Sequence, residues 1–186
     1  MLGLKSGLVT LSAPDPTWRS VFYEESSRIL EAARDFIVAI EHVGSTAIPG
    51  MPAKPIVDIA AATPSFEGFV PAISRIERLG YEFRGEFGVP RRHFFRLGDP
   101  TTVHFHVFEE QGKDWREQLL FRDAMRASEA LRDEYQVLKV GLAQKFANDR
   151  PSYTAAKAEF ILRVLRDAPA ILAEASTHGA SSSIES

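Results

Sequence analysis

The chain contains no cysteine. Disulfides and thiolate chemistry are thereby excluded, and any metal site must draw on histidine and carboxylate ligands. No apolar run approaches the length of a membrane span, and the N-terminus lacks a signal-peptide pattern, so a cytoplasmic protein is expected. Nor is there an excess of positive charge. With 22 Lys+Arg against 25 Asp+Glu the formal net charge is -3, which argues against an extended nucleic-acid-binding face and leaves room only for a local basic cluster. No internal repeat is present. What remains is 45% hydrophobic and 25% charged over 186 residues, an ordinary globular composition, long enough to bury a sizeable core in one domain. Residues 1–174 are expected to form that domain. Residues 175–186, small and polar, read as a disordered tail.

Pro14-Asp15-Pro16-Thr17 reads as a turn opening a helix over 16–33, with Asp15 as N-cap and Glu24-Glu25-Ser26-Ser27 as its solvated face. Residues 35–43 and 55–62 are rich in β-branched and aromatic types and read as strands. The second is so continuously apolar that it should be covered on both faces. A helix is expected from Phe66 to Leu79, closed by Gly80, then a strand over 81–84. A hairpin should join 94–97 to 102–108 through Gly98-Asp99-Pro100. Three helices follow, over about 113–126, 128–146 and from 151 onward, with Pro169 expected to kink or end the last. Strands interleaved with helices, then a run of helices, describe an α+β domain with a C-terminal helical segment.

The most informative stretch is 41–62. Gly44-Ser45 closes a strand, where glycine and serine let a backbone approach a phosphate closely and offer it donors. The next strand, Ile56-Val57-Asp58-Ile59, embeds one ionisable residue, and a buried Asp needs a partner or a cation. Glu41 and His42 alternate faces, so only one of them should look toward a ligand. Residues i and i+2 share a strand face. Thr102, His104 and His106 therefore lie opposite the apolar Val103, Phe105 and Val107. If the 102–108 strand lies beside 55–62, then Asp58, His104 and His106 could converge on one cation.

Other positions read two ways. Pro90 to Arg96 is the densest cationic cluster. Arg92 and Arg96 could fork onto phosphate oxygens, or could be charges guarding a solvated edge strand. Lys54 is either a phosphate contact or a loop charge. Tyr153 and Lys157, one turn apart on a helix, could both face the site. Otherwise Asp149 or Ser152 caps that helix and Lys157 faces solvent.

The order of these features resembles the GrpB-like family. The resemblance is carried by Asp15-Pro16-Thr17-Trp18, Ile40 to Thr46, Pro49-Gly50 and Ala53-Lys54-Pro55-Ile56-Val57-Asp58-Ile59. It continues through Glu86 to Pro90, Phe94-Phe95-Arg96, His104-Phe105-His106, Trp115-Arg116, Phe121-Arg122-Asp123 and Tyr153 with Lys157. Together these span roughly residues 8–167.

The resemblance implies the nucleotidyltransferase superfamily, whose fold is similar to the catalytic domain of DNA polymerase beta. That is a nucleotidyltransferase-like mixed β-sheet flanked by helices. Gly44-Ser45 and Asp58 match the first parts of the superfamily pattern. Ala60 stands where a second carboxylate belongs, and His104 or His106 takes the place of a third. The family implies no assigned reaction, although some members resemble domains joined to a dephospho-coenzyme A kinase.

Two-metal transfer needs several carboxylates. One Asp with imidazoles suits a single softer ion such as zinc or manganese. With the magnesium of metal-dependent transfer kept beside them, the divalent metal expected is Mg, Mn or Zn, held by Asp58, His104 and His106. Those three are also the expected catalytic residues. A nucleoside triphosphate is the expected ligand, with Gly44, Ser45, Lys54, Arg92, Arg96, Tyr153 and Lys157 as its binding residues. The leading expectation is transfer of a nucleotidyl group to an acceptor. The alternatives are a non-catalytic nucleotide or phosphometabolite-binding domain, and a metal-assisted hydrolase using the histidine pair.

Overall fold

The computed structural model describes residues 2–5 and 7–181. In chain order its elements are α1 (Thr17–Ala33), β1 (Ala39–Val43), β2 (Val57–Thr63), α2 (Val70–Glu77), β3 (Tyr81–Phe83), β4 (His93–Leu97), β5 (Val103–Glu109), α3 (Lys113–Ala127), α4 (Glu129–Lys145), α5 (Arg150–Ala155) and α6 (Ala158–Ser181). The strands form one mixed sheet in the order β1-β2-β5-β4-β3. Only the β2–β5 pair is parallel. The expected α+β class is what the molecule has, and none of its described helices is long and apolar enough to cross a membrane.

Strand alternation divides the sheet into two unlike faces. Val57, Ile59 and Ala61 of β2, Val103, Phe105 and Val107 of β5, and Phe95 of β4 project to one side. They form the main core there with Trp18, Ile29 and Ala33 of α1 and Ala72 and Ile76 of α2. On the other side Ala60, Ala62 and Phe108 meet Val43 and Trp115, so α3 covers only part of that face. The uncovered part holds Asp58, His104 and His106. A third cluster ties the 48–51 loop to α3, α4 and α6 through Ile48, Met51, Met125, Tyr135, Phe160 and Val164.

Several expectations need correction. The stretch Glu24 to Ser27 is not uniformly solvated. Glu25 and Ser26 are buried, and Glu25 accepts hydrogen bonds from the Tyr81 hydroxyl at 2.8 Å and from Arg28 at 2.7 Å. Asp15 is not the N-cap: Pro16 holds that position without a side-chain cap bond, and Asp15, one residue earlier, accepts from the Thr17 backbone N–H through Oδ1 at 2.9 Å. Pro169 does not end its helix: it lies inside α6, where Phe160, Val164, Ala168 and Ile171 keep an apolar stripe packed on either side of it. The expected helix from 151 is two helices, interrupted between Ala155 and Ala158. Residues 175–181, expected in a tail, continue α6, and 182–186 lie outside the described residues.

Candidate functional site

Parallel pairing of β2 with β5 sets the site. The register places Asp58 beside His104 and Ala60 beside His106. β4 adds Phe94 opposite His106 and Arg96 opposite His104. Two histidines 46 and 48 positions from Asp58 thus arrive on one face through pairing alone. His104 Nδ1 lies 2.9 Å from Asp58 Oδ1, and His106 Nε2 approaches the same oxygen to 3.6 Å. The Phe94 ring packs on both imidazoles, with centroids 5.3 and 5.0 Å away.

Gly44 ends β1 against this pair. A side chain there would put Cβ 2.5 Å from Asp58 Oδ2. The space that glycine leaves is therefore taken by the carboxylate itself, a closer partner than the ligand the sequence suggested. Ser45 opens the short 3-10 turn Ser45–Ala47, near Tyr135 of α4.

The surroundings are cationic. Arg92 donates to the Glu86 and Phe87 carbonyls and reaches His106 Nδ1 at 3.3 Å. Arg150, in the first turn of α5, reaches His104 Nε2 at 3.4 Å. Lys54 and Lys157 both approach the buried Tyr153, their Nζ atoms 5.7 and 4.6 Å from its ring centre. Lys139 is 1% exposed and donates to the Pro52 carbonyl. Among the described residues none of these five cations forms an ion pair with a carboxylate. Arg96 differs, because it is paired with Glu82 at 2.9 Å.

Ionisation follows from these contacts. Burial would raise the Asp58 carboxyl, but hydrogen bonds and charge interactions with His104 and His106 hold it well below the ordinary value. Burial lowers His106, against the pull of Asp58. Burial, with neighbouring cations adding to it, brings Lys54 down to about 8 and Lys139 to about 7. Lys157 falls to about 8 by burial, opposed by Asp58. Ammonium groups held this poorly in their charged form suit an anion that would restore the charge.

Asp58, His104 and His106 each offer one ligand atom within 4.8 Å of the other two, which is the convergence a shared cation requires. The outer contacts oppose it. A metal-bound imidazole ordinarily donates its second N–H to a carboxylate, a carbonyl or water. Here the second nitrogens face guanidinium donors. With one carboxylate among five unpaired cations, the residues as arranged do not fit a resident divalent ion.

Sequence reasoning brought Asp58, His104, His106, Gly44, Ser45, Lys54, Arg92, Tyr153 and Lys157 into view, and the fold collects them. Arg96 lies on the same sheet face but is engaged by Glu82. Arg150 and Lys139 were missed. Lys139 carried a readable signal: it falls four residues after Tyr135, on the helical stripe that also holds Leu142 and Phe146. Glu41 is bound to Arg122 at 2.6 Å. His42 is buried against Phe22 with Nε2 3.0 Å from Thr46 Oγ1, and burial lowers it to about 4. Both line a separate cavity of about 710 Å³ between α1, α3 and the 46–50 loop.

The family model described as GrpB protein matches residues 8–167. The chain belongs to the GrpB family. The glutamate-rich protein GrpB of Alkalihalophilus pseudofirmus is 33% identical over 173 residues, covering 90% of this chain and 99% of that one. UPF0157 protein YqkA of Bacillus subtilis is 37% identical over 145 residues, covering 77% of this chain and 42% of the longer relative. The crystal structure of conserved protein GrpB from Enterococcus faecalis superposes with a TM-score of 0.80 at 30% identity, covering 86% of this chain and 96% of that one. The α+β sheet and its C-terminal helix are thus the architecture of a GrpB protein.

Proposed function

We propose that the chain binds the phosphate chain of a nucleotide-class ligand at the face bounded by the starts of β2 and β5, the 44–54 loop and α5. The observation that carries this reading is the surplus of half-buried and buried positive charge. Lys54, Lys157, Arg92 and Arg150 act on Asp58, and buried Lys139 lies near Lys54 and Lys157, all without a carboxylate partner among the described residues. In a protein of net charge -3 such local concentration raises stability only when an anion fills it. Guanidinium forks and ammonium groups are the side chains that neutralise phosphate oxygens.

The nucleotide part of the reading comes from the resemblance to nucleotidyltransferases. Recognition, rather than two-metal transfer, is the activity the geometry supports better. Ala60, where the superfamily has a carboxylate, is fully buried beside Val43, Ala62 and Phe108, so Asp58 stands alone. In this reading Lys54, Lys157 and Arg150 contact phosphate oxygens, Lys139 adds charge from behind, and Tyr153 holds two ammonium groups in place.

Calorimetric titration with inorganic triphosphate and with ATP, CTP, GTP and UTP tests the proposal. Binding is expected for triphosphate alone, and Lys157→Met should weaken it by about 10-fold or more, the worth of one charge-assisted hydrogen bond. A protein that neither binds any of these at millimolar concentration nor gains thermal stability from them by mass action is not a phosphate receptor.

A further inference from the structure

We propose that Arg92 and Arg150 are positioning residues that fix the proton of each imidazole on its Asp58-facing nitrogen. Asp58 is then held between the N–H groups of His104, at hydrogen-bond distance, and of His106, 3.6 Å away, instead of the three forming a seat for a metal. A guanidinium offers N–H donors and no acceptor, and it does not deprotonate in proteins. The ring nitrogen it touches must therefore present a lone pair. His104 meets Arg150 through Nε2, so a neutral His104 carries its hydrogen on Nδ1 and donates to Asp58 Oδ1. His106 meets Arg92 through Nδ1, so its hydrogen sits on Nε2, again on the Asp58 side. Both rings thus turn N–H toward one carboxylate oxygen, while the other oxygen fills the space beside Gly44.

The guanidinium of Arg92 is anchored independently of the histidine. It donates to two backbone carbonyls, at 2.9 Å to Phe87 and 3.2 Å to Glu86, and lies 4.8 Å over the Phe94 ring. The rings are held as well, by Phe94 on both and by Phe108 stacked 4° from parallel on His106. An ion bound at Oδ1, Nδ1 and Nε2 would drive each proton to the opposite nitrogen, where two donors would then face each other at both arginines. The tautomers are set by contacts that exist without any ligand, so this inference goes beyond the phosphate reading and survives its failure.

Long-range proton–nitrogen NMR of the full-length chain reads the tautomers directly. His104 should appear as the Nδ1–H form, the less common one in water, and His106 as the Nε2–H form. Zinc titration of the wild type and of the Arg92→Gln/Arg150→Gln double variant supplies the second arm. The glutamine carbonyls can accept from a metal-bound imidazole, so the variant should bind zinc about 10–100-fold more tightly than wild type. Adding Asp58→Asn should abolish that gain. His104 in the Nε2–H form would overturn the inference, and so would a double variant that binds zinc no better than wild type. Triphosphate titration of the wild type in EDTA tests the phosphate reading separately.

Discussion

Replacing Gly44 by alanine should damage the fold and the site through one contact. Gly44 has φ 68° and ψ −171°, a region open essentially to glycine alone and costing another residue about 1–3 kcal/mol. The new Cβ would stand 2.5 Å from Asp58 Oδ2 and 3.1 Å from Asp58 Cβ and Cγ. Both strands are fixed by pairing, so Asp58 must turn away and lose its 2.9 Å bond to His104. Overpacking of this kind adds about 1–3 kcal/mol. The sum, about 2–6 kcal/mol, lowers the melting temperature by roughly 5–20 °C in a protein of this size. Gly50→Ala is the matched control. Its φ is also positive, at 73°, but nothing lies within 4 Å of the new atom, so only backbone strain of about 1–2 kcal/mol remains. Circular-dichroism melts of both variants, with triphosphate titration of whichever fold at the assay temperature, separate the terms. The reasoning is refuted if Gly44→Ala melts within about 2 °C of Gly50→Ala and binds triphosphate like wild type.

Ala60→Asp, which would restore the superfamily carboxylate, should unfold the protein more readily rather than awaken transfer. An unpaired buried charge costs about 3–5 kcal/mol, visible as a large drop in melting temperature. Wild-type stability should rise with pH from about 7 to 10.5, because Lys139, Lys54 and Lys157 titrate near 7, 8 and 8 when folded and near 10.5 when unfolded. The unfolded chain then binds more protons throughout that window. Denaturant titrations at several pH values check the sign, and Lys139→Met should flatten the rise. Triphosphate binding at pH 8 should take up protons, measured as a dependence of calorimetric heat on buffer ionisation enthalpy, and affinity should fall as pH rises further.

How much could be read in the sequence depends on whether a feature is local. The period-2 alternation of His104 and His106 against Val103, Phe105 and Val107 is local, and so is the apolar run around Asp58. Their meeting depended on parallel pairing, which the apolar character of both strands allowed but did not specify. The hairpin linking β4 to β5 was legible in its glycine, aspartate and proline turn. Arg150 was not, because its role comes from a short helix docking across the sheet onto His104. Glu25 likewise looked like part of a solvated face until Tyr81, 56 residues later, supplied its buried partner. The break before Ala158 had no signal in the helical pattern, yet Lys157 beside it ends up over Tyr153.

The most direct test is a crystal structure of the full chain with a non-hydrolysable nucleoside triphosphate analogue. The account predicts phosphate oxygens within hydrogen-bond reach of Lys54, Lys157 and Arg150, beside Asp58. Phosphates lodged instead in the cavity lined by His42, Arg122 and Arg126 would contradict it.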